Sequence, residues 1–144
     1  RVLMVQFLKS MPTGEMAALK ALEPNFILFR GTELKKFTWQ MDEIEKLETA
    51  GEQESIFEYA VNNAIGGACD LLILDEVLGA VSEGMLGKGS LLEFMKNKPE
   101  ALELVLTGRG AADELIELAD YVSEIYAVKH PADKGINGRE GIEY

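Results

Sequence analysis

The sequence has 144 residues, 47% of them apolar, and 25 Asp plus Glu against 14 Lys plus Arg, a formal net charge of -11. That length and apolar share suit one compact domain, residues 1–144, and the acidity argues against binding a nucleic-acid backbone, which needs clustered cations. A single cysteine, Cys69, excludes a disulfide within the chain and fits a reducing, cytoplasmic setting, and no apolar run is long enough to span a bilayer.

Short Val-, Ile- and Leu-rich runs separated by helical spacing predict strands covered by crossover helices. The first run, residues 2–8 (VLMVQFL), follows directly on Arg1, so abruptly that earlier sequence is expected to precede it. The loop Lys9-Ser10-Met11-Pro12-Thr13-Gly14-Glu15 leaves the carboxyl end of this strand, the edge at which open α/β sheets bind ligands. A second strand is predicted at 26–29. Beyond it, Phe37-Thr38-Trp39 sets two large aromatics among Lys35, Lys36 and Gln40; they read either as rings for a flat ligand or partner, or as a hydrophobic staple for a helix beginning near Met41.

Between 54 and 69 the apolar residues Ile56, Phe57, Ala60, Val61, Ala64, Ile65 and Ala68 recur at helical spacing and predict a helix over the sheet. The strand at 71–74 then ends in Asp75 and Glu76. Two acids at such an edge can serve Mg²⁺, a hard cation that prefers oxygen and bridges phosphates, or can simply be a polar strand end. Gly87-Lys88-Gly89-Ser90 imitates a phosphate loop, but the pattern GxxxxGK[ST] fails because Ser82 stands where its first glycine belongs. Ser90, with Glu93 three positions on, reads instead as the capping box of a helix over 90–97 that Pro99 ends.

A strand at 104–106 leads into Thr107-Gly108-Arg109-Gly110, where glycines allow close backbone approach and the guanidinium offers a fork for phosphate; the other reading is a tight turn. A helix over 112–119 should turn Leu115, Ile116 and Leu118 inward. A last strand is predicted at 122–128, followed by Lys129 and His130 near the ligand edge and a surface tail over 131–144. Cys69 and His130 lack metal-ligand spacing, and Cys69 reads as core filling. The alternation predicts an open, mostly parallel α/β sheet with flanking helices.

Taken in order, Val5-Gln6-Phe7-Leu8-Lys9, Phe37-Thr38-Trp39, Leu74-Asp75-Glu76, Thr107-Gly108-Arg109-Gly110, Glu117-Leu118-Ala119-Asp120 with Val122-Ser123-Glu124, Val128-Lys129-His130 and Gly141-Ile142-Glu143-Tyr144 resemble the ATP:corrinoid, or cob(I)alamin, adenosyltransferases over essentially the whole chain. The resemblance implies a RecA-like P-loop NTPase fold, here lacking its first strand and the glycine-rich phosphate loop that family members carry ahead of the strand at Val2. It implies transfer of the 5′-deoxyadenosyl group of ATP to the cobalt of a reduced corrinoid (cob(I)alamin, cobinamide or cob(I)yrinic acid a,c-diamide), with release of triphosphate. ATP and Mg²⁺, a homodimer and a flavoprotein reductase come with it, and neither nucleic acid nor membrane.

By the same resemblance Phe37 and Trp39 displace the lower axial ligand of the corrinoid, Glu76 with Asp75 serves Mg²⁺, and Arg109, Lys9, Lys129 and His130 face the phosphates or the nucleotide. Two other readings compete: a P-loop-type nucleotide-binding ATPase or switch without corrinoid chemistry, and a non-catalytic flavodoxin-like or regulator-like module.

Overall fold

In the computed structural model the described residues are 1–9, 15–31, 34, 36 and 38–139. Four strands, β1 (Val2–Gln6), β2 (Phe26–Arg30), β3 (Leu71–Asp75) and β4 (Glu103–Leu106), form an all-parallel sheet in the order β2-β1-β3-β4. The helices are α1 (Glu15–Lys20), α2 (Glu43–Ile65), α3 (Val77–Ser82), α4 (Lys88–Asn97) and α5 (Asp113–Leu118). This is the α/β architecture expected of a RecA-like P-loop fold.

Register explains the core. Leu3 pairs with Leu72 and Val5 with Leu74, so these four side chains share one face, where Phe7 joins them two residues past Val5. All five are buried there under Ile56, Phe57, Ala60 and Ala64 of α2 and under Leu91 and Phe94 of α4. Phe57 and Phe94 meet edge to face at 6.0 Å between ring centroids, locking the two helices together. The opposite face, with Met4 and Ile73, is only half-buried. Each fully buried Leu, Val or Phe contributes roughly 1.5–3 kcal/mol relative to an exposed one.

Helix α2 is longer than the sequence pattern predicts: the helix near Met41 and the one over 54–69 are a single 23-residue element. Asp42 starts it, accepting the N–H groups of Ile44 and Glu45 at 2.9 Å, while the Glu45 carboxylate accepts the Asp42 N–H at 3.0 Å. Gly51, a weak helix former, does not interrupt it because the apolar stripe on either side is buried. Helix α4 starts at Lys88 with Gly87 at its N-cap, so Ser90 lies inside the first turn and caps nothing.

Two further expectations fail. Only Leu115 of α5 is buried, whereas Ile116 and Leu118 are exposed. Residues 122–128 form no strand: a strand needs a neighbour to take its N–H and C=O groups, and none of the described residues lies alongside. Val122, Ile125, Tyr126 and Val128 are accordingly exposed. A 3-10 turn, Pro131–Lys134, follows in the exposed tail. Cys69 is buried just before β3, as expected, and that burial pushes its thiol pKa up.

Candidate functional site at the carboxyl edge of the sheet

Because all strands are parallel, their carboxyl ends line one edge, and β1, β3 and β4 bring the turns after Gln6, Asp75 and Leu106 side by side. Asp75 is the hub. Its Oδ1 accepts from Thr107 Oγ1 at 2.8 Å, and its Oδ2 accepts from Gln6 Nε2 at 3.2 Å and lies 3.3 Å from the Lys9 ammonium. Lys9 and Asp75 are both mostly buried, so this pair is screened less than a surface one. The Lys9 carbonyl also accepts from the Leu34 N–H at 3.2 Å, which ties Leu34 to the same edge.

Glu76 follows in a left-handed conformation, φ 62°, and turns the chain from β3 into α3. Thr107 Oγ1 accepts its N–H at 3.0 Å, so one hydroxyl fixes both the Asp75 side chain and the Glu76 backbone. Among the described residues no hydrogen bond or ion pair engages the Glu76 carboxylate. It folds over the start of α3, where Gly79 leaves it room: a Cβ there would lie 3.3 Å from Glu76 Oε2. Gly108, φ 128°, is needed for a different approach, since its Cβ would come within 2.8 Å of the Gly79 N. The two glycines pack the turn after β4 onto α3 and bring Arg109, exposed, to the same edge.

The other expected residues are placed differently. Trp39 is 74% exposed on a 3-10 turn, Thr38–Gln40, between β2 and α2, and Phe37 lies outside the described residues, as do 10–14 and 140–144. His130 Nδ1 accepts the Ala132 N–H at 3.1 Å and caps the 3-10 turn that follows it. Lys129 is exposed beside it, and no hydrogen bond or ion pair among the described residues links either to β1, β3 or β4. Lys88 of the imitation phosphate loop is held by Glu114 at 2.6 Å.

Sequence reasoning gave Gln6 no role of its own and missed Gln53. Gln6 is a polar residue inside an apolar strand, and Gln53 stands on the stripe Thr49, Gln53, Ile56, Ala60, Ala64 where an apolar residue would pack. A buried amide is costly unless hydrogen-bonded, so its presence in such a stripe signals a specific partner. Gln53 Oε1 accepts the Leu8 N–H at 3.0 Å.

Two acids, a lysine, an arginine and a threonine at the carboxyl edge of a parallel sheet can hold a phosphorylated ligand with its cation. The profile of the family described as ATP:corrinoid adenosyltransferase BtuR/CobO/CobP matches residues 1–144. The chain belongs to this family. The corrinoid adenosyltransferase of Escherichia coli (strain K12) is 32% identical over 145 residues, covering all of this chain and 71% of the relative. The corrinoid adenosyltransferase CobA of Salmonella typhimurium is 30% identical over 141 residues, covering 97% and 69%. That of Pseudomonas aeruginosa is 30% identical, covering 100% and 70%.

Membership makes ATP and a corrinoid the substrates to be placed, and it makes the chain a transferase. Nucleotide phosphates are commonly bridged by a hard divalent cation such as Mg²⁺. Among the described residues no three His, Cys, Asp or Glu stand together as a cage. Mg²⁺ seldom needs one, since one or two carboxylates, water and phosphate oxygens complete its octahedron. The edge fits that pattern through Glu76, whereas both oxygens of Asp75 already take donors from the protein. No helix among the described residues is long and apolar enough to cross a membrane.

Proposed function

We propose that the chain transfers the 5′-deoxyadenosyl group of ATP to the cobalt of a reduced corrinoid at the carboxyl edge of β1, β3 and β4, releasing triphosphate. The observation that supports this placement is the knot of Lys9, Gln6 and Thr107 around Asp75, beside which the Glu76 carboxylate takes no hydrogen bond or ion pair among the described residues. Glu76 would hold Mg²⁺, which neutralises triphosphate charge and steadies the leaving group, while Asp75 anchors the turn that presents it. Lys9 and Arg109 are assigned to the phosphates. Lys129 and His130 keep a weaker assignment to the nucleotide, since His130 already serves as a cap.

The reaction asks little covalent work of the protein. The electron pair of cobalt in the +1 state forms the Co–C5′ bond as the C5′–O bond breaks, and that bonding pair leaves with triphosphate. No side chain acts as nucleophile, which matches an edge with no Ser-His or Cys-His pair among the described residues. The chain's contribution is to hold C5′ in line with the cobalt and to offset the triphosphate charge. Trp39 and Phe37 are assigned to the corrinoid's lower face, where removing the axial ligand makes Co(II) easier to reduce. The exposure of Trp39 on a turn is consistent with contact to a large flat substrate. A homodimer, residues 1–144 as one domain, a flavoprotein reductase as electron donor and a cytoplasmic location complete the proposal.

The test mixes the protein with ATP, Mg²⁺ and chemically reduced cob(I)alamin without oxygen and follows the visible spectrum. Appearance of the light-sensitive Co–C product is expected. ATP hydrolysis with no such product would replace this reading with the nucleotide switch.

A further inference from the structure

Two described residues other than glycine sit in the left-handed region, Leu8 at φ 52° and Glu76 at φ 62°, and both lie just past a strand at the same edge. Such conformations persist only where the surroundings over-determine them, and they cluster at functional sites. In both cases a side chain takes the backbone N–H. Thr107 does so for Glu76 from within the edge itself. Gln53 does so for Leu8 from the middle of α2, where it is 2% exposed.

The place at which Gln53 acts matters. The Phe7 N–H still joins the ladder, donating to the Asp75 carbonyl at 2.9 Å. One residue later the Leu8 N–H leaves the sheet and turns to Gln53. Lys9 comes next, and from that turn its ammonium reaches back over the edge to Asp75 while its carbonyl accepts the Leu34 N–H. A leucine at position 53 would fill the stripe on α2 equally well, so packing alone does not explain a buried amide there.

We propose that Gln53 is a positioning residue for the nucleotide site: by holding Leu8 left-handed it aims the Lys9 ammonium along the β1–β3 edge at Asp75 and the triphosphate. This rests on placing ATP at that edge. Gln53 itself touches neither substrate. Lys9 makes the contact, and Gln53 decides where the lysine stands before ATP arrives.

The test compares Gln53→Leu, which keeps bulk and removes the acceptor, with Gln53→Glu, which keeps an oxygen at the same reach. With ¹³C-labelled lysines, the Lys9 Cε resonance is assigned by its loss in Lys9→Met, and its unpaired position is read from Asp75→Asn. Gln53→Leu is expected to move that resonance toward the Asp75→Asn position and Gln53→Glu to leave it in place. In steady-state assays Gln53→Leu should raise KM for ATP ~tenfold with kcat changed no more than about threefold, and Gln53→Glu should restore KM. If Gln53→Leu does not fold, Gln53→Asn, one methylene shorter, must show the same displacement and the same rise in KM. An unmoved Lys9 resonance in a folded variant overturns the proposal, as does a moved resonance with an unchanged KM for ATP. A natural protein that makes no Co–C product would instead sink the functional reading, which the Lys9 resonance does not depend on.

Discussion

Strand β3, LLILD, and the segment VSEIYAV at 122–128 are both rich in residues that favour extended backbone, yet their surroundings are opposite. β3 is hydrogen-bonded on both sides, to β1 and β4, and its Leu72 and Leu74 are completely buried beneath α2 and α4. In the later segment Ile125 is 94% exposed and no ladder forms. Composition supplies a preference for extended backbone, but a strand exists only where neighbours accept its hydrogen bonds and cover its side chains. The candidate site follows the first case. It grows from the central strands β1 and β3 and from their neighbour β4, each held in the sheet by backbone hydrogen bonds.

The largest expected effect sets those two segments against each other. Leu72→Ala should lower unfolding free energy by ~2–5 kcal/mol through lost burial and a cavity, whereas Ile125→Ala should stay within about 0.5 kcal/mol. Urea denaturation of both variants at one pH measures the contrast. Equal losses would mean that Ile125 is packed against something and that the two segments do not differ as described.

A pair of glycines sharpens the same comparison with smaller effects. Gly108 and Gly135 both have positive φ, but a Cβ on Gly108 would strike the Gly79 N while one on Gly135 would meet nothing within 4 Å. Gly135→Ala should therefore cost only backbone strain, about 1 kcal/mol. Gly108→Ala should cost that and the displacement of α3, ~1–3 kcal/mol in total, and should weaken the hold on ATP because Glu76 starts α3. Thermal unfolding scans with and without Mg-ATP separate the two effects, and a Gly108→Ala that keeps full stabilisation by Mg-ATP would detach the turn after β4 from the nucleotide.

The contrast also explains what could be read from sequence. All four observed strands were legible because apolar runs bounded by polar residues need no knowledge of partners once the sheet is parallel and central. Residues 122–128 carry the same local signal, and local signal cannot report a missing neighbour. The acids at 75 and 76 and the glycines at 108 and 110 were found because strand ends in α/β sheets are where ligands sit. The division of labour between Asp75 and Glu76 was not legible, since it depends on Thr107, Gln6 and Lys9 arriving from two other strands. Gln53 escaped notice because it belongs to a helix 45 positions away from the backbone group it holds.

A change on the exposed side of the molecule should leave stability alone and alter function. Trp39→Ala should unfold within about 0.5 kcal/mol of the natural protein, since a side chain that is largely exposed contributes little to the core. Its adenosylation rate should fall much further from Co(II) starting material than from pre-reduced Co(I), because the work assigned to the ring precedes alkyl transfer. Equal losses in the two assays would contradict that assignment.

The smallest effect concerns the start of α2, the helix that carries Gln53. Lys36 donates to Glu45 at 2.5 Å, and that hydrogen bond, followed by the one from the Asp42 N–H, holds the Glu45 carboxyl below the usual carboxylate range. A carboxylate with a depressed folded pKa stabilises the helix start above its unfolded pKa of about 4.3 and loses that contribution as pH falls through the folded value. Protection of the Ile44 and Glu45 amides against hydrogen exchange should thus decline as pH drops from 5 toward 3. In Glu45→Gln, where nothing titrates at that position, protection should be lower at pH 5 and change less over the same interval. The pair is at the surface, so added salt should shrink the difference between the two proteins. A pH response that is identical in Glu45→Gln would contradict the role given to the Glu45 carboxylate at this helix start.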